Sequence, residues 1–236
     1  MRKTLIGILM LLVTFQVLSK TEETNTKIDG SRILTCPYCG AKKEVLNLLS
    51  GNNLGQVVWS DNKTIAPMLP RVSFVQKCPQ CGGYYMMSRQ KNDEFSGNPS
   101  SEKGELSYQE LKEAWAKLKS LPDLTQNEKT AVLMMQVWAY NDKYTRGKDI
   151  PIPDEEKTYF KIIVDDLLLL DDVDELLKRE LLRETGRFEE ATAPLNTFDS
   201  NNGILVEAKK KFLKCISTLD TKPFIVLGDK KDISDR

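Results

Sequence analysis

The chain has 236 residues, 40% of them hydrophobic and 29% charged, with a formal net charge of zero. That is room for one domain of ordinary size plus a small one, and the balance fits a folded chain rather than a fibrous or wholly disordered one. Histidine is absent, which removes Ser-His and Cys-His catalysis, the HExxH zinc enzymes and any imidazole pH switch.

At the N-terminus Arg2 and Lys3 precede an apolar run from Leu5 to Leu18, and Ser19 follows it. Charge, apolar segment and small residue together match a cleavable signal peptide over residues 1–19. The run is 14 residues, against the roughly 20 of a comfortable membrane span, and an uncleaved anchor is the alternative. In both versions the leading positive charge places the remainder outside the cytoplasm. The protein is thus expected to be exported, periplasmic or extracellular, with membrane attachment only through residues 5–18. Residues 20–30 read as a disordered polar lead-in.

Two units follow, "TCPYCGAKK" from Thr35 and "KCPQCGGYY" from Lys77. Cys36 and Cys39 are C-x2-C spaced, as are Cys78 and Cys81, with 38 residues between the pairs. Two residues between cysteines let one tight turn aim both sulfurs at a single ion, and a second such turn completes a tetrahedron. Pro37 and Pro79 preset the start of each turn, and Gly40 and Gly82 permit positive φ after the second cysteine. This repeated CPxCG pattern resembles the zinc-ribbon family, in which each unit forms a knuckle at the tip of a β-hairpin. The resemblance implies that Cys36, Cys39, Cys78 and Cys81 hold Zn in a closed four-thiolate shell with a structural role, over a module spanning 31–91. Within it "KKEVLNLLSG" reads as a short helix or turn insert, and "QVVWSD", "RVSFVQKC" and "GYYMMSRQ" read as strands. Trp59, Phe74, Tyr84 and Tyr85 are expected to pack this small sheet.

"CPYC" also resembles the active-site motif of glutaredoxins, which would make Cys36 a nucleophilic thiol in a thiol-disulfide oxidoreductase. The 30 residues from Gly40 to Leu69 are too few for the helix, strand and helix of that fold, and it has no use for a second CPxCG. Free cysteines in an exported chain also stand open to oxidation: bound zinc protects them, reducing surroundings spare them, or the two CxxC pairs close as disulfides, and the sequence does not choose among these.

From Ser31 to Lys91 there are eight basic side chains against two acidic ones, and from Asn92 onward 22 against 29. A basic module so placed permits nucleic-acid binding; docking of the two halves on each other, or plain solvation, is the preferred reading. Residues 92–106 concentrate turn formers and read as a linker.

Helices are expected over 107–222. Ser107 with Glu110 and Thr125 with Glu128 form capping boxes. Tyr108, Leu111, Trp115 and Leu118 make one apolar stripe, and a second helix over 126–146 is apolar over most of its circumference and belongs in the centre. "PIPDEEK" opens a third, burying Phe160, Ile163, Leu167 and Leu170. Segments 173–185, 187–198 and 204–219 complete the set, with Cys215 a buried free thiol on the last stripe. "LLRETGRFEEATAPL" resembles the turn of a tetratricopeptide repeat, with Gly186 ending one helix and Phe188 and Ala191 packing the next, over about one repeat of 34 residues. The acidic group Asp165, Asp166, Asp171, Asp172 and Asp174 lacks the order of a calcium loop and reads as capping or solvated. Residues 223–236 are one β-like run and a polar tail.

The fold class expected is α+β, a zinc-ribbon β module followed by antiparallel helical hairpins, and the whole resembles a group of bacterial zinc-ribbon proteins. The function expected is a non-enzymatic, zinc-stabilised scaffold with a protein partner. A redox enzyme or a nucleic-acid binder is the alternative.

Overall fold

A computed structural model describes residues 27–50, 52–66, 71–90, 94–96, 104–148, 150–192 and 202–228. The expected signal or anchor at 1–19 falls outside these residues. The layout is α+β, small antiparallel sheets followed by helices.

Strands β1 (Lys27–Thr35) and β2 (Lys42–Ser50) form a hairpin, with Thr35 opposite Lys42. The segment expected to be a helix or turn insert is therefore a strand. Its Val and Leu residues tolerate either state, and pairing along the length of β1 with burial of Val45 and Leu46 decides the matter. Strands β3 (Val57–Trp59) and β4 (Thr64–Ile65) form a second hairpin, β5 (Val75–Lys77) and β6 (Tyr84–Met86) a third. Two further strands arrive from distant sequence. β7 (Glu94–Ser96), inside the stretch read as a linker, pairs with β1. β8 (Ile225–Leu227), near the C-terminus, pairs with β3.

The helices are α1 (Tyr108–Leu118), α2 (Gln126–Tyr144), α3 (Asp154–Leu168), α4 (Glu175–Glu184), α5 (Phe188–Thr192) and α6 (Gly203–Ser217). Both expected capping boxes close. The Glu110 and Glu128 amides donate to the hydroxyls of Ser107 and Thr125, and each glutamate accepts from the capping residue's amide. Asp174 caps α4, in keeping with the capping reading, whereas Asp172 accepts from Thr130 of α2 and Asp165 pairs with Arg187. α2 runs through the middle of the helical core, which takes Trp115 and Leu118 from α1, Val132 and Val137 from α2, and Ile163 and Leu167 from α3. Gly186, at φ 79°, turns α4 into α5, where Ala191 is buried and Phe188 half-buried; the rest of the repeat-like segment lies outside the described residues. α6 packs less tightly than its stripe implies. Phe212 is buried, Cys215 is half-buried and Leu219 is exposed.

Strand β6 joins the two halves. Side chains alternate across a strand, so Tyr85 faces one core with Leu34, Cys36, Val45 and Cys78. Tyr84 and Met86 face the other way, into the helical core. Trp59 is buried as expected, whereas Phe74 is 49% exposed. It sits just before β5, at the rim of a cavity, where the backbone bends and the next residue, Val75, takes the buried position.

Candidate metal centre

The first CPxCG unit occupies the turn between β1 and β2 and the second the turn between β5 and β6. They are closed by matching backbone bonds. In the first, the Gly40 amide donates to the Cys36 carbonyl at 2.9 Å and the Cys36 amide to the Ala41 carbonyl at 2.8 Å. In the second, Gly82 donates to Cys78 at 3.0 Å and Cys78 to Gly83 at 2.8 Å. Gly40 and Gly82 have φ of 74° and 69°, the left-handed region that glycine enters at little cost. In each unit the first cysteine is buried and the second exposed.

These two turns face each other. Sγ of Cys36 lies 3.6 Å from Sγ of Cys81, Sγ of Cys39 lies 3.6 Å from Sγ of Cys78, and all four sulfurs fall within 4.8 Å of one another. A zinc tetrahedron with bonds of about 2.3 Å has sulfur–sulfur edges of about 3.8 Å, so the four atoms occupy a shell of the right size. No other group of metal-ligating side chains gathers among the described residues. Both close approaches run between the turns, not within a C-x2-C unit, and each exceeds the ~2.05 Å of a disulfide. All the sequence-expected site residues are thus brought together, and in the arrangement of a shared ligand sphere.

The electrostatics point the same way. Backbone N–H groups of Cys81 and then Gln80 hold the Cys78 thiol down to about 6, with burial opposing. The Ala41 amide pulls on Cys39 similarly, yet burial and the sulfurs of Cys78, Cys81 and Cys36 push it up to about 12. Cys81 is also raised, against the Gly83 amide, by burial and by Cys78 and Cys36. Like charges this close cannot all ionise together unless a cation joins them. A divalent ion held by Cys36, Cys39, Cys78 and Cys81 would let every thiol lose its proton, and the amides aimed at the sulfurs would support the thiolates. Tyr85 packs against the cluster. Its buried hydroxyl has no hydrogen-bond partner among the described residues, and burial followed by the neighbouring thiolates pushes it up to about 12.

Tyr38 and Gly83 complete the centre, and neither stood out in the sequence as part of it. The Tyr38 hydroxyl, from the first turn, donates to the Tyr84 carbonyl of the second hairpin at 2.9 Å. Its ring lies against Gly83. The doubled glycine "CGG" of the second unit, where the first has "CGA", was the available signal.

The chain matches no protein-family model, and no curated protein or solved structure is significantly similar to it. Among the described residues no helix is long and apolar enough to cross a membrane.

Proposed function

We propose that the protein is a non-enzymatic, zinc-stabilised interaction scaffold that works outside the cytoplasm, with the ribbon-like module fixing one end of a helical platform for a protein partner. The observation that supports it is the convergence of Cys36, Cys39, Cys78 and Cys81 from two facing turns into one tetrahedron-sized shell. Four thiolates complete the coordination of zinc and leave no position for substrate or activated water. The all-sulfur, tetrahedral donor set suits zinc and also a redox metal such as iron, and metal analysis separates the two, iron in place of zinc counting against this reading. Bound metal also shields the thiolates from oxidation, which reconciles four free cysteines with the export-type N-terminus.

Metal analysis of protein purified without oxygen tests this reading. About one zinc per chain is expected; a metal-free, folded protein overturns it. The redox alternative is separated by Cys39→Ser. A structural site loses metal and fold together, whereas a thiol-disulfide enzyme keeps its fold and loses reduction of a model disulfide.

A further inference from the structure

A cavity of about 330 Å³ opens between the ribbon-side segments 63–66 and 71–74 and helices α1 and α2. Its size falls at the lower end of small-molecule sites, roughly 300–1,000 Å³. None of the four cysteines lines it. Its apolar wall includes Leu111 of α1 and Met135 and Trp138 of α2; its charged groups are Lys63, Arg71, Glu105 and Asp142.

The cations and acids in this region are unequally satisfied. Asp142 is shared by Lys63 and Arg146, and Arg146 also engages buried Asp61. Arg71 is different. Its guanidinium carbon rests 4.4 Å from the centre of the Trp138 ring, and Nη2 donates to the Thr64 carbonyl. Among the described residues it forms no ion pair, although a guanidinium offers five N–H donors in a fork that matches a carboxylate. Lys63 and Arg146 are thus matched directly by Asp142 and Asp61, whereas Arg71 stands beside the apolar wall without a carboxylate in ion-pair contact among the described residues. Burial lowers the proton affinity of both Lys63 and Arg71; Asp142 opposes this at each and Arg146 adds to it, and a further anion at the cavity would favour their charged forms. Glu105 is exposed, makes no ion pair among the described residues, and supplies the opposing negative charge at the cavity.

We propose that this cavity binds a small amphipathic carboxylate, its head on the Arg71 guanidinium with Lys63 nearby, its aliphatic body against Leu111, Met135 and Trp138. One guanidinium without an ion-pair partner among the described residues, at a cavity that also carries the Glu105 and Asp142 carboxylates, suits a monoanion better than a phosphate dianion. The modest volume of about 330 Å³ suits a free acid better than a polypeptide end.

The test is calorimetric titration of the full-length, metal-loaded protein with octanoate, with octanamide as its uncharged counterpart. Saturable one-to-one binding of octanoate is expected, with octanamide weaker by about tenfold or more, and Arg71→Met lowering octanoate affinity by a similar factor. Because Arg71 is partly buried, exposed Glu105 gives a second variant that leaves the fold alone. Glu105→Gln is expected to tighten octanoate binding about two- to threefold by removing a like charge. The proposal is overturned by the absence of saturable octanoate binding into the millimolar range, by equal binding of octanoate and octanamide, or by weaker binding in Glu105→Gln, which marks an amine-bearing ligand instead. An acetylated leucine-rich peptide with a free C-terminus that binds more tightly than octanoate overturns it too, in favour of a chain terminus.

Discussion

The ring of Tyr38 lies so close over Gly83 that a β-carbon built on that glycine meets the ring 2.5 Å from its nearest atom, and Cys81 Sγ at 3.3 Å. One residue of the first knuckle thus clasps the backbone of the second. Gly83→Ala forces the Tyr38 ring outward and breaks its bond to the Tyr84 carbonyl. The expected outcome is destabilisation of about 1–3 kcal/mol and, for metal-loaded protein, metal release that is several-fold faster, measured by urea denaturation and by transfer of metal to a chelating dye. Tyr38→Phe, which keeps the ring and removes only the hydroxyl, should cost about 1 kcal/mol. Equal effects from the two substitutions would show that the ring contact contributes nothing.

Removing the metal should be felt beyond the ribbon. Tyr85 sits with the cysteines, while Tyr84 and Met86 on the opposite face of the same strand sit in the helical core. Stripping the ion leaves thiols that resist shared ionisation, and the hairpin carrying β6 loses its anchor. Chelation is expected to lower the thermal midpoint of the helical signal in circular dichroism by at least about 10 °C while leaving most helix content at room temperature. An unchanged midpoint would mean that the helical core holds β6 unaided.

The capping glutamates have a second task, and it governs acid stability. Glu110 accepts from Lys77 at 2.8 Å, and Glu128 accepts from Arg89 at 2.7 Å, so residues that start α1 and α2 also hold the basic module. Lys77 first, then the Ser107 cap, hold Glu110 at about 2; Arg89 holds Glu128 at about 2. Both values lie below the ordinary 4.5. A carboxylate depressed on folding stabilises the native state above its unfolded pKa and loses that contribution as pH falls toward its folded pKa. The window is therefore about pH 4.5 down to 2. Glu128→Gln should cost about 1–2 kcal/mol at neutral pH. Its melting temperature should converge with that of the parent protein as the pH approaches 2. A constant gap across the window would assign the loss to packing.

The site was legible because its chemistry is local: spacing, prolines and glycines within two nine-residue stretches specify both knuckles, and a four-thiolate shell follows from them. Capping boxes are local too, and both closed as read. What escaped was non-local. "KKEVLNLLS" carries residues compatible with a helix and became β2 because β1 is there to pair with it. β7 and β8 are three-residue strands whose own sequences say little; their partners are tens to well over a hundred residues away. The charge imbalance between the halves was visible, and ion pairs such as Lys77 with Glu110 and Arg89 with Glu128 agree with docking. Which lysine meets which acid depended on the fold.

Arg146 poses the sharpest stability question because it pairs directly with a fully buried carboxylate. Asp61, in the turn after β3, is fully buried and pairs with the Arg146 guanidinium, which is itself 5% exposed. Asn141 bridges Asp61 to Glu184 through one amide nitrogen, at 2.9 Å to each. Burial, then the nearby acids Glu180 and Asp61, raise Glu184 well above the ordinary range, so its neutral form is favoured beside the Asp61 carboxylate. Arg146→Met leaves that carboxylate buried without its ion-pair partner, and the expected loss is about 3–5 kcal/mol by chemical denaturation. Arg146→Met combined with Asp61→Asn removes the stranded charge and should recover at least about half of that loss. If the double variant is no more stable than the single one, the guanidinium matters for its packing over Trp59, 4.9 Å from the ring centre, and not for the carboxylate it neutralises.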